Sequence, residues 1–185
     1  MLYPGIYSSE SNLKILYDIG MSSNEPTHDA LISVVSLLKQ QNVSFVLHEH
    51  GPVFTMEDFG SHLTFPSSHL IKVLAFRTKA DPTGFVLTGI PGSARLHLPL
   101  VAQALNVSRS SLQYLSQEQF TSVTGCPIGA LGLVTPQKAS VVLIDSSLKM
   151  IDPIYCGAGS NRHTLELHLA HLESLIPIRY AMLTN

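Results

Sequence analysis

The chain has 185 residues, a formal net charge of −2 and nine histidines. Apolar residues make up 45% and charged ones 13%, the balance of a globular chain with one sizeable core rather than a disordered one. That balance excludes a sequence-independent nucleic-acid coat, which would be strongly basic, but leaves open a narrow contact with the end of an RNA.

Residues 1–25 mix Ser, Asn, Tyr and Gly around one short apolar patch, Leu13-Lys14-Ile15-Leu16-Tyr17. They read as an N-terminal extension ahead of a single domain over residues 26–185. The start lacks the basic-then-apolar layout of a signal peptide, and Cys126 and Cys156 are too few for a disulfide framework. A reducing cytoplasm is the expected location. The longest apolar runs, such as residues 139–144, are too short to span a bilayer, so no membrane partner is expected.

Pro26-Thr27 opens a helix in which Leu31, Val34, Val35 and Leu38 recur at helical spacing until about Asn42. Residues 44–50 alternate as a strand, closed by Gly51-Pro52. Thr55-Met56-Glu57-Asp58 is a capping box and predicts a short helix to about Leu63. Pro66-Ser67-Ser68 starts another turn, and residues 69–77 are strand-like. Asp81-Pro82-Thr83-Gly84 has turn chemistry, with residues 84–89 returning as a hairpin partner. Leu98, Val101, Ala102 and Leu105 mark a helix ending near Asn106. A short strand at 112–115 precedes a second capping box, Ser116-Gln117-Glu118-Gln119, and a helix to about Gly125. Strands are expected at 140–145, from 154 into a tight turn at Gly157-Ala158-Gly159, and at 164–167. Leu169, Leu172 and Leu175-Ile176 suggest a terminal helix before Pro177. Without regular βα alternation, this is an α+β fold: a mixed, mostly antiparallel β-sheet wrapped by helices.

One stretch stands apart: Thr124-Gly125-Cys126-Pro127-Ile128-Gly129-Ala130-Leu131-Gly132-Leu133-Val134-Thr135-Pro136. Neither a helix nor a central strand tolerates that density of breakers, so a stiff, shaped loop is expected. Its side chains offer little chemistry, so any action runs through backbone groups, as in binding an ester or a ribose edge. The plainer reading is an apolar connection between a helix and a strand.

Other groups are weighed the same way. Lys72 interrupts the apolar run Leu70-Ile71-Lys72-Val73-Leu74. It lies either on the exposed face of an edge strand, which this stretch alone favours, or in a cleft as a point charge for phosphate or an oxyanion. His48 and His50 share a strand face, and His163, His168 and His171 cluster; either set has metal-ligand chemistry. With no HExxH, no paired CxxC and few carboxylates, scattered histidines are the better reading, and no metal is expected. Cys126 follows a helix C-terminus, where the dipole disfavours a thiolate, so it reads as a packed side chain.

Several stretches, in one order, resemble the YbaK/EbsC family, the prolyl-tRNA-synthetase-associated editing domains. They are Phe45-Val46-Leu47-His48 with Thr55 following, Leu70-Ile71-Lys72-Val73-Leu74, Pro91-Gly92-Ser93-Ala94-Arg95-Leu96, Thr124-Gly125, Gly132-Leu133-Val134-Thr135-Pro136, Val142-Leu143-Ile144-Asp145-Ser146-Ser147-Leu148 and Gly157-Ala158-Gly159. The resemblance covers roughly residues 28–176 and rests on order and spacing rather than on one motif. It implies hydrolysis of the ester in a mischarged aminoacyl-tRNA by a free-standing trans-editing enzyme, without metal or cofactor. The family's lysine falls on Lys72, and its glycine-x-x-x-proline loop on Gly132 and Pro136; these are the expected catalytic residues. Thr55, Gly129, Leu133, Val134, Thr135, Gly157, Gly159 and His163 are the expected substrate contacts. The implied partners are the acceptor end of an aminoacyl-tRNA and a synthetase that delivers it, with no DNA. Val73 departs from the family, which often has a polar residue after the lysine. A non-catalytic module that binds an aminoacyl or nucleotide ligand, or a synthetase, stays open as the alternative.

Overall fold

The computed structural model describes residues 26–55 and 65–185. The N-terminal extension and the helix expected after Thr55 therefore lie outside the described residues.

The first helix, α1 (Pro26–Gln40), begins with a proline, which suits a first helical turn because its missing N–H has no intrahelical partner there. Leu31, Val34, Val35 and Leu38 are buried on one stripe, as their spacing predicts. Asn42 at φ 54° turns the chain out of it. Strand β1 (Phe45–Glu49) then enters a three-stranded antiparallel sheet in the order β1-β7-β6, with β6 at Ile154–Gly157 and β7 at His163–Leu167. The register pairs Leu47 with Leu165 and Cys156 with Leu165. The period of two thus sends Leu47, Leu165, Leu167, Ile154 and Cys156 into the main core.

The second sheet has five strands in the order β4-β2-β3-β5-β8: β2 (Ile71–Thr78), β3 (Asp81–Pro91), β4 (Leu112–Tyr114), β5 (Val141–Asp145) and β8 (Ile178–Ala181). β3–β5 and β5–β8 are parallel pairs, and β2 pairs antiparallel with both β3 and β4. All five residues of β5 are buried, as a continuous apolar run inside a sheet should be. Its alternate residues serve two cores. Val142 and Ile144 join α1 and the first sheet in the main core, while Val141 and Leu143 pack with Val101 and Ala102 of α2 (Leu98–Leu105). A bridge between Leu70 and Tyr155 links the two sheets.

The structure differs from the sequence expectation in three places. The strands form two sheets, not one. Asp81-Pro82 lies inside β3, because the hairpin turns one step earlier at Lys79-Ala80; the Asp81 carboxylate still accepts the Gly84 N–H at 2.9 Å, as a turn aspartate does. The expected terminal helix shrinks to α4 (Leu169–Leu172), and past Pro177, where the sequence reading assigns no element, the chain continues as β8. That strand is held by its parallel partner and by the buried Asp145 carboxylate. It accepts the N–H groups of Leu183 and Thr184 at 2.8 and 3.0 Å and the Thr184 hydroxyl at 3.1 Å.

Candidate active site

Helix α3 (Gln117–Thr124) starts on the expected capping box, with Ser116 and Gln119 satisfying each other's backbone N–H. It ends at Gly125, whose φ of 75° is the left-handed cap that glycine adopts without strain. The breaker-rich loop begins there. A Cβ on Gly125 would stand 2.8 Å from the Pro136 ring, so the glycine and the proline meet at the neck of the loop. Gln137 N–H donates to the Thr124 carbonyl across the same neck, at 3.4 Å. The body of the loop is pressed onto the end of β6. A Cβ on Gly132 would collide with the Gly157 carbonyl oxygen, and one on Gly157 would stand 2.6 Å from the carbonyl oxygens of Ala130 and Leu131. Gly159 N–H also donates to the Ala130 carbonyl at 2.9 Å. Gly132 and Gly157 are therefore glycines of close approach, and the loop is fixed backbone against backbone.

The loop separates two cavities. One, of ≈ 340 Å³, is lined by Lys72, Val73 and Leu74 of β2, by Val53, Phe54 and Thr55 after β1, by Ile128, Gly129 and Leu131 of the loop, and by Gly157, Ser160, Asn161 and His163. The other, of ≈ 360 Å³, lies behind the loop and is lined by Leu133, Val134, Thr135 and Pro136, the end of α1 and residues 174–177. The polar groups converge on the first. β4 pairs with β2 only from Phe76 onward, so among the described residues the Lys72 end of β2 has no strand on that side. Lys72 there is half-buried in the cavity wall, which replaces the exposed edge-strand reading. Its ammonium donates to the Ala94 carbonyl at 2.7 Å and reaches the Gly92 carbonyl at 3.5 Å, so the turn after β3 aims it. No Asp or Glu lines this cavity among the described residues.

The thiols stay out of the chemistry. Burial pushes the Cys126 thiol up to about 12, with a hydrogen bond to Thr124 opposing it, and pushes Cys156 up to about 11, opposed by the Leu133 backbone. Neither forms a thiolate near neutrality. The histidines are dispersed. His48 donates to Glu166 at 2.8 Å, His168 to Asp152 at 2.8 Å and His69 to the Pro153 carbonyl at 2.7 Å. Among the described residues, no three His, Cys, Asp or Glu side chains gather into a metal-binding group. Of the histidines, His50 and His163 line the cavity.

The structure thus brings Lys72, Thr55, Gly129, Gly157 and His163 to one cavity and places Leu133, Val134, Thr135 and Pro136 on the other. Gly132 sits between them, against Gly157, and Gly159 packs on α1 beside Ala30. Sequence reasoning missed Phe54 and Ile128 at the exposed mouth, and Ser160 and Asn161 in the wall. The Ser-x-x-His spacing of Ser160 and His163 in a turn was the signal available for two of these residues to meet.

An α+β scaffold of two sheets, carrying one cation-lined cavity closed by a glycine- and proline-rich loop, is the class of protein that this geometry defines. The chain belongs to the aminoacyl-tRNA editing domain family, whose model matches residues 50–175. Similar solved structures include a candidate trans-editing enzyme for prolyl tRNA synthetase, with 19% identity, TM-score 0.71, and 88% of this chain and 99% of that one covered. A scaffold protein for presenting grafted linear epitopes has 17% identity and TM-score 0.73, with coverage of 88% and 99%. The hypothetical protein APE2540 has 20% identity and TM-score 0.68, with coverage of 80% and 98%. At such identities the likeness speaks for the fold. No curated protein matches this chain.

Proposed function

We propose that the chain is a trans-editing hydrolase that deacylates mischarged aminoacyl-tRNA, with the ester held in the Lys72 cavity. The observation that carries this reading is the Lys72 ammonium, held by the Ala94 carbonyl at 2.7 Å in a cavity that no carboxylate lines among the described residues. An ammonium has three donors. With two directed at carbonyl oxygens, the third serves a phosphate or the developing oxyanion, and Lys72 acts as a charge rather than as a base.

The loop contributes backbone. Among the described residues, the N–H groups of Gly129 and Leu131 have no hydrogen-bond acceptor, which supports their use as donors to an ester or ribose oxygen. Gly132 and Pro136 then act by shape: the first lets the loop lie on β6, and the second closes its neck. With both thiols buried, water attacks the ester carbonyl, and the neighbouring ribose hydroxyl of the terminal adenosine positions it. The acyl C–O bond breaks, the ribose oxygen takes a proton, and a free amino acid and an uncharged tRNA leave. A rigid wall of this kind selects by excluding larger side chains. The partners proposed are the acceptor end of aminoacyl-tRNA and a delivering synthetase, in the cytoplasm; no helix among the described residues is long and apolar enough to cross a membrane.

The test is deacylation across a panel of mischarged tRNAs, repeated on a tRNA ending in 2′-deoxyadenosine with the amino acid on the 3′ oxygen. Hydrolysis of at least one substrate, and poor hydrolysis of its deoxy form, is expected. Full activity on the deoxy substrate would show that the protein supplies its own nucleophile. Val73 on the cavity wall supports a second reading, a module that binds the acylated end without hydrolysing it. Saturable binding with no turnover on any tRNA would select that reading.

A further inference from the structure

We infer that Arg95 and Arg162 form a two-point phosphate clamp beside the front cavity, taking the phosphodiesters of the nucleotides that precede the terminal adenosine while the ester lies inside. The clamp rests on the proposed function and adds two residues to it.

Arg95 stands one peptide bond from the group that aims Lys72. The Ala94 carbonyl that accepts from the Lys72 ammonium at 2.7 Å is joined to the Arg95 nitrogen. That turn is closed by the Ala94 N–H on the Pro91 carbonyl at 2.9 Å, and Leu96 beyond it bridges to Thr184. Arg162 comes from a different element, the turn between β6 and β7, and lies between the cavity-lining Asn161 and His163. Its N–H donates to Ser160 Oγ at 3.2 Å, and its carbonyl accepts the His50 N–H at 2.9 Å. The Asn161 carbonyl accepts the Val53 N–H at 2.8 Å. Both backbones are thus fixed to residues of the cavity wall, and both arginines are exposed.

Among the described residues the ion pairs join His48 to Glu166 and His168 to Asp152, and neither arginine takes part. Glu49, opposite His163 in the register of β1 with β7, is paired with neither of them. Exposure alone makes no contact, because a guanidinium rests in water at little cost. What sets these two apart is that their backbones are tied to the cavity proposed for the ester. Its ligand ends in an acyl group and continues as a chain of phosphates, and the planar guanidinium fork takes two phosphate oxygens at once. Two such contacts are the narrow footprint that a net charge of −2 leaves open.

The deciding experiment measures binding of uncharged tRNA by the full chain over a salt series, without turnover. Arg95→Ala and Arg162→Ala should each weaken binding about fivefold and lower the slope of log K against log salt by about 0.7, the loss of one single-strand phosphate contact. Arg95→Lys and Arg162→Lys should keep most of the affinity through their charge. Lys138→Ala removes an equal charge at the rear cavity and should stay within about twofold of wild type. An unchanged slope in either alanine variant overturns the clamp. So does an equal loss in Lys138→Ala, which would mean attraction by net charge alone.

Kinetics separate phosphate from ester. On a hydrolysable aminoacyl-tRNA the double alanine variant should raise KM about twenty-five-fold, the product of the single effects, and hold kcat within about twofold. The loss should vanish on 3′-aminoacyl-adenosine, which keeps the ester and the ribose but carries no phosphate. A loss of the same size on that small ester overturns the clamp, since the arginines would then act on the ester or on the fold. Weakened tRNA binding in both variants of a chain that hydrolyses no substrate sinks the proposed function and keeps the clamp. Unchanged binding in variants of an active enzyme sinks the clamp.

Discussion

The two cavities flanking the glycine- and proline-rich loop are nearly equal in volume, ≈ 340 and ≈ 360 Å³, and differ in chemistry. In front, a cation, two histidines, two hydroxyls and an amide converge, and several are held by named partners: Lys72 by carbonyls, His50 by Gly51 and Thr164, His163 by Ser160. Behind, the aliphatic wall also carries Gln41, Lys138 and Ser174, all exposed, and the Thr135 hydroxyl, which is tied to the Gln137 carbonyl at 2.6 Å. Volume does not make a site. Oriented polar groups are the better guide, because an electrostatic contact that needs no reorganisation acts most strongly on a developing charge.

Four measurements break or sharpen that contrast. The largest effect is expected at the front. Lys72→Ala should lower deacylation by about a hundredfold to a thousandfold with little change in melting temperature, and Lys72→Arg should retain part of the activity through its charge. Wild-type rates in Lys72→Ala would move the site elsewhere.

The dividing wall comes next. Gly132→Ala drives a Cβ into the Gly157 carbonyl, a rigid backbone group. It should cost about 3 kcal/mol of stability in denaturant unfolding, since overpacking against backbone cannot be relieved by a rotamer. An unshifted midpoint would mean the loop does not lie on β6 as described.

The scaffold behind both cavities responds to acid. Burial alone would raise the Asp145 pKa, but hydrogen bonds from the Ser147 side chain and backbone, the Leu183 backbone and the Thr184 side chain outweigh it, and the carboxyl titrates below its ordinary value. A folded-state pKa below the unfolded one contributes stability that is present above the unfolded value, about 4, and is lost as pH falls through the lower folded one. Asp145→Asn should flatten that acid limb in urea titrations between about pH 5 and 2. An acid limb identical to wild type would remove Asp145 from the C-terminal latch.

The smallest effect belongs to the rear cavity. Lys138→Ala should change deacylation less than about threefold, as expected for an exposed cation away from the ester. A loss approaching that of Lys72→Ala would make the rear cavity part of the substrate path.

Local patterns carried much of this protein. The stripe of Leu31, Val34, Val35 and Leu38, the capping box of Ser116 and Gln119, the αL exits at Asn106 and Gly125 and the buried run of β5 are short-range consequences of periodicity, capping and backbone sterics. They are legible wherever a few neighbouring residues settle the matter. The irregular course of the loop followed likewise from its glycines and prolines, and Cys126 is packed as expected of a cysteine after a helix end.

What only the tertiary structure decided involves residues far apart in the chain. The split of the strands into two sheets depends on which edges pair, and β8, to which the sequence reading assigned no element, is held by β5 and followed by the Asp145 contacts. Lys72 reads as an edge-strand cation until the turn carrying Gly92 and Ala94 folds back and holds it in a cavity wall. The loop reads as one continuous stretch, yet contact with Gly157, whose position comes from the pairing of β6 with β7, leaves Ile128, Gly129 and Leu131 on one cavity and residues 133–136 on the other. Sequence spacing reports the period of one element at a time. The facing of two elements is set by the total surface they bury together, and no single stretch contains that quantity.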